Sequence, residues 1–237
     1  MSDDPSQEPY GSTPELNDGD QPVKPPPGGM STGLAVVFYG ILTLAAWLLG
    51  SLWLGLDLLQ WHEGWGQAIW VDVALGAGLG VVTVVASRIL EHTTQWAETL
   101  TREFRKILGK LTPFQVLVFA VTSGVAEEVF FRGFLQQALS ELAFGQLPGN
   151  EWSGLVVASV VFGLIHIGPD RKKFLPWTIM AVVLGFGFGL LYMYTGNILA
   201  PVVAHFTINF FNLLHIAGRS DESEGDDADR RDTRWNQ

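Results

Sequence analysis

The sequence predicts an all-α polytopic membrane bundle of about six transmembrane helices with an additional amphipathic helix. Three observations carry that reading: where the charges fall, how long the uncharged windows run, and how Lys and Arg alternate between loops. The 237 residues carry a formal net charge of −10, no Cys, 48% hydrophobic residues and only 16% charged ones. Residues 1–32 hold six acids and one Lys, and residues 219–237 hold seven acids and four Arg, so the tails carry −8 and the body −2. The lack of Cys excludes a disulfide scaffold and a cysteine nucleophile. No basic stripe remains for a nucleic-acid partner.

Taken in order, residues 1–32 combine Pro, Gly and acids without an apolar run. That composition suits a disordered tail and lacks the basic start and apolar stretch of a signal peptide. Spans of about 20 apolar residues match a bilayer's hydrocarbon thickness. Six are expected: 33–59, 67–90, 114–144, 152–168, 174–195 and 197–216. The third is long and the fourth short, so tilt or protrusion is expected. Residues 91–113 differ, because Trp96, Leu100, Phe104, Ile107, Leu108 and Leu111 recur every three or four residues among Arg102, Arg105, Lys106 and Lys110. That is an amphipathic helix, either lying on the membrane surface or docked on the protein's own loops. Gly185-x-Gly-x-Gly189 lies inside an apolar span and reads as close helix packing. Residues 219–237 read as a second disordered tail, leaving 33–218 as the membrane domain.

The loops test this independently. Residues 60–66, residues 145–151 and residue 196 contain no Lys or Arg, whereas 88–113 contain five and 169–173 contain three. Alternating bare and basic loops fit six spans with both termini cytoplasmic. The expected location is therefore a cell membrane, with the lipid bilayer as an obligatory partner.

Ionisable groups within spans are costly and mark candidate sites. Asp57, Asp72 and Glu141 lie near span ends, within reach of water. Glu127, Glu128 and Arg132 do not. Glu128 and Arg132 are four apart on one helical face and can pair, while Glu127 is turned about 100° away. Glu127, lacking that partner, should have the higher pKa of the two, as suits a general base. His166 and the pair His205 and Asn209 lie on later spans, with Asn212 a turn further on. Polar contacts between helices are the bland alternative for each. Together, Glu, His, His and Asn from three spans favour a hydrolytic centre. No Ser forms a convincing triad with the histidines, so direct attack by water is preferred to an acyl-enzyme.

Glu127-Glu128-x-x-x-Arg132, Phe162-x-x-x-His166 and His205-x-x-x-Asn209, in this order on successive membrane helices, resemble the motifs of the CPBP intramembrane proteases. That family covers CAAX-processing, or type II prenyl-protein, endopeptidases and the bacteriocin-processing Abi proteins. The resemblance implies an intramembrane endopeptidase acting on a membrane-associated or lipid-modified protein or peptide. It implies that Glu127 and His166 activate the water, that His205 and Asn209 stabilise the oxyanion, and that Glu128 and Arg132 support the site. Family members have been described as metal-dependent. Zinc held by Glu127, His166 and His205 is therefore the alternative to a cofactor-free site, which is preferred because the sequence lacks His-Glu-x-x-His. Two rival functions remain. One is a non-catalytic membrane scaffold or bacteriocin self-immunity protein that binds a membrane partner. The other is a small transporter relaying protons through the intramembrane Glu.

Overall fold

A computed structural model describes residues 31–60, 68–143 and 145–235, with side chains described up to residue 218. The expected N-terminal tail lies almost wholly outside the described residues. Among the described residues seven helices follow one another: α1 (Thr32–Trp53), α2 (Ile69–Thr93), α3 (Gln95–Leu108), α4 (Pro113–Ala143), α5 (Asn150–Ile165), α6 (Arg171–Thr195) and α7 (Leu199–Trp235). The chain forms a polytopic helical bundle, with α1, α2, α4, α6 and the first 20 residues of α7 long and apolar enough to cross a bilayer, while α5 is shorter. Among the described residues the only sheet-like feature is the antiparallel bridge between Gln60 and Asn197.

Local chemistry sets the boundaries. Thr112 and Gln115 form a reciprocal capping box, and Pro113 occupies the first turn of α4, where its missing N–H costs nothing. The Asp170 carboxylate accepts from the Lys172 and Lys173 amides at the start of α6, and Gly196 closes that helix at a φ of 70°. The span expected to reach residue 59 ends at Trp53. Gly55, at a φ of 72°, breaks the helix, and the Asp57 carboxylate then accepts from the Leu59 and Gln60 amides in a turn. α7 continues to Trp235, through the segment whose charge suggests a disordered tail. Pro201 is the last proline, so nothing downstream obstructs the helix sterically.

α7 packs against α2 and α4, α1 covers α4, and α5 pairs with α6. Glycines allow the closest of these approaches. A Cβ on Gly76 would collide with the Ala200 carbonyl, and one on Gly80 with Thr207, so α2 and α7 touch backbone to side chain. Gly185 lies against Ser159 and Phe162, and Gly189 against Leu155 and Gln136, which makes the glycine repeat of α6 a packing surface. α4 spans 31 residues, about 46 Å at helical rise and more than the hydrocarbon core needs. Its stretch Val129–Gln136 is π-helical, a widened turn often found at functional sites.

At the end bearing the bare loops, the segment after α1 meets the turn between α6 and α7. The Ile198 amide donates to the Leu59 carbonyl at 3.0 Å, and Asn197 donates to Asp72 at 2.9 Å. Asp72 is therefore not at the water surface, being only 2% exposed. Its partner lies 125 residues away in the chain.

At the basic end, α3 is docked on the protein. Phe104 meets Phe174 and Trp177 edge-on at 5.2 and 5.3 Å, and Ala97 and Leu100 are buried. Glu103 accepts from Lys106 at 2.9 Å and from Lys173 of α6 at 3.4 Å. These two ammonium groups, Lys106 foremost, hold the Glu103 carboxyl below its usual range. A depressed carboxylate stabilises the fold above its unfolded pKa of about 4.3 and loses that contribution as pH falls through the lower folded value. Glu103→Gln should therefore speed hydrogen exchange of the α3 amides at pH 7. As pH falls through the lowered folded value, variant and wild type should converge, since the carboxylate is then titrated in both states.

Candidate active site

The charged residues of α4 sit at the centre of the bundle. Glu128 is 0% exposed, Arg132 1% and Glu127 6%. One turn of helix brings Arg132 Nη1 to 3.1 Å from Glu128 Oε1. Arg132 Nη2 donates to the Gly185 carbonyl of α6 at 2.8 Å. The guanidinium also lies 4.7 Å from the Phe162 ring centre and 5.3 Å from that of Phe188. Its charge is met by one carboxylate, one carbonyl and aromatic faces.

His205 of α7 completes this arrangement. Its Nδ1 lies 2.7 Å from Glu128 Oε1, and its ring stacks on Phe188 at 5.1 Å. Glu128, spent on Arg132, is an acceptor, so His205 Nδ1 carries the proton. His166 ends α5, and its Nδ1 lies 2.6 Å from the Phe162 carbonyl. A carbonyl only accepts, so this Nδ1 is also the donor. In their neutral forms both rings therefore present an unprotonated Nε2. Both Nε2 atoms face Glu127, at 3.6 Å for His166 and 4.0 Å for His205, measured to Oε2. Among the described residues nothing donates a hydrogen bond to that buried oxygen, nor to Glu128 Oε2.

Glu127, His166, His205 and Asn209 line one cavity of about 370 Å³. Asn209 is turned to the side of this group, its Nδ2 donating to Ser123 Oγ at 2.9 Å. Glu128 and Arg132 stand behind it and do not line the cavity. The six sequence candidates thus gather into one assembly. Two further members escaped the sequence reading. Ser123, four residues before Glu127 on the same helical face, could have been found by spacing. Tyr39 of α1, which interacts with both Glu127 and Ser123, gives no such signal.

Glu127 Oε2 and two imidazole nitrogens are donor types that zinc accepts. Among the described residues no group of three His, Asp or Glu side chains is gathered as an ion site.

Breaking a buried pair by removing one partner costs about 3–5 kcal/mol, because the other charge is left unmatched. Arg132→Met should therefore markedly lower the thermal unfolding midpoint in detergent. Adding Glu128→Gln, which removes the stranded charge, should recover more than half of the loss.

Residues 109–211 match the family described as "Type II CAAX prenyl endopeptidase Rce1-like". The chain is 32% identical over 102 residues to the "Putative membrane peptidase YdiL" of Bacillus subtilis, covering 43% of this chain and 37% of that protein. It is 31% identical over 105 residues to the "Uncharacterized protein YpbD" of the same organism, covering 44% and 47% respectively. A third Bacillus subtilis relative, "Uncharacterized protein YyaK", is 26% identical over 155 residues, covering 64% and 50%. The chain thus spans half or less of the length of these relatives. No solved structure matches. The matched region runs from just before α4 into α7, includes every residue of the Glu/His cluster, and leaves out α1–α3. Over that part of its length, the chain carries a CAAX-protease-like membrane domain.

Proposed function

We propose that the chain is an intramembrane endopeptidase that hydrolyses a peptide bond of a membrane-associated or lipid-modified protein or peptide. The observation that carries this is the convergence of Glu127 Oε2 with the unprotonated Nε2 atoms of His166 and His205 on one buried cavity. Three lone-pair-bearing atoms facing one another are set to hold and polarise a water molecule. Glu127 removes the water proton as the oxygen attacks the carbonyl carbon, with His166 orienting the water. The same carboxyl then passes the proton to the departing nitrogen. His205, with a proton taken up from solvent at Nε2, donates a hydrogen bond to the oxyanion and keeps that proton as the carbonyl re-forms, and Asn209 supplies a second N–H on rotating from Ser123. Glu128 and Arg132 hold His205 in place. Tyr39 and Ser123 position Glu127 and Asn209. By the distribution of basic loops, the cavity opens on the cytoplasmic side, with both termini there.

Glu127→Gln keeps the shape of the side chain and removes the base. Processing should fall by about 10²- to 10⁴-fold. Comparing membrane proteomes of wild-type and variant cells should reveal a precursor that accumulates uncut in the variant. A variant that localises normally and processes every membrane protein at the wild-type rate would remove the protease reading. A phenotype kept intact by Glu127→Gln, but lost on altering the helix surfaces, would point to a scaffold or self-immunity role.

We further propose that hydrolysis needs no metal. Purified active protein should retain its rate after exhaustive chelation. Stoichiometric zinc lost together with activity would overturn this mechanism.

A further inference from the structure

The cavity extends well past the Glu/His cluster. From His205 it follows α7 toward the basic end, through Asn209 and Asn212 to His215, with Ser87 and Glu91 of α2 beside them. Ser87 Oγ donates to Asn212 Oδ1 at 3.2 Å. Beyond it, the buried Glu91 carboxylate meets His215 Nε2 at 2.8 Å. The opposite wall, from α3 and α6, is apolar and aromatic, with Trp96, Leu100, Phe104, Trp177 and Leu184. The chamber therefore has two unlike sides: a polar seam between α2 and α7, and a greasy wall facing it.

Resting on the protease reading, we propose that this seam is a peptide-binding subsite that hydrogen-bonds the backbone of the substrate as an extended chain, with Asn212 as its specificity-determining residue. A peptide bond can be hydrolysed here only once it is drawn out of a helix. At membrane depth its freed N–H and C=O groups then need partners that lipid cannot supply. The seam supplies them on one side only, and the apolar wall receives the side chains. Asn212 Oδ1, at 3.2 Å, shares the single Ser87 hydroxyl proton with the Val84 carbonyl, at 2.8 Å. Among the described residues its amide N–H groups have no acceptor, so they are donors available to a substrate carbonyl. Seven residues of α7 separate Asn212 from His205, about 10 Å at helical rise. An extended chain covers that distance in about three residues. Asn212 should therefore read the third residue from the cleaved bond. Asn212 also lies just outside the region shared with the family, which ends at residue 211.

The test uses the full-length protein in detergent and a pool of myristoylated ten-residue peptides of random sequence, with cuts located by mass spectrometry. The best-cut sequence is then shortened residue by residue from either end. For the wild type, kcat/KM should rise about tenfold when the third residue from the bond is restored, at one end only. Asn212→Leu should abolish that step while cutting two-residue versions at the wild-type rate, and Ser87→Ala should shrink it. A step that persists in Asn212→Leu, a wild type without a step, or an equal loss at every length would overturn the subsite. If the wild type cuts nothing, the protease reading fails separately. The subsite is then decided by binding of pool members retained by Glu127→Gln. Their affinity should fall about tenfold when Asn212→Leu is added, and unchanged affinity would overturn it.

Discussion

A charge in hydrocarbon has to be matched within a few ångströms, and the Glu128–Arg132 pair is where this protein meets that demand. The requirement reaches well beyond α4. Arg132 uses its second nitrogen on the Gly185 carbonyl, so α6 must come within hydrogen-bond reach of α4. Glu128 uses the same oxygen on His205, which fixes α7. The rings of Phe162 and Phe188 close around the guanidinium and bring α5 into the same assembly. Four helices are held by one pair of charges.

The pair also determines what is left over. Glu128 commits Oε1 to Arg132 and His205, whereas the neighbouring residue, on a different face, turns an unbonded oxygen toward two imidazoles. Each imidazole is anchored through Nδ1, one on a carboxylate and one on a carbonyl, so both expose the same nitrogen. Anchoring two rings from different helices in one tautomeric sense is a stronger arrangement than two histidines merely placed nearby. The CAAX-protease-like region contains all of these groups, while the helices outside it contribute the cavity's further walls.

Much of this was legible because a membrane makes polar residues conspicuous. Glu127, Glu128, Arg132, His166, His205 and Asn209 stand out against apolar windows, and four-residue spacing places the partners on shared faces. The expected spans followed from the uncharged windows, and the alternation of Lys and Arg between loops tested them independently. What stayed hidden depended on distant or local backbone detail. Asp72 near a helix start looks solvated until Asn197 is known to cover it. The end of α1 depends on the left-handed turn at Gly55, which hydropathy does not register. Tyr39 was invisible because a tyrosine in an apolar helix is ordinary, and only the packing of α1 on α4 brings it to Glu127. The docking of α3 was undecidable from periodicity, since one amphipathic face suits lipid and protein alike.

The zipper between residues 59–60 and 197–198 closes the bundle at the end bearing the bare loops, and none of its residues lines the cavity. Among the described residues, the lining of the chamber stops at Phe188 and His205, short of this closure. A water-bearing cavity with one mouth offers ions no continuous path across the bilayer. On the proposed reading, water reaches a bond deep in the membrane without discharging the gradient that the membrane maintains.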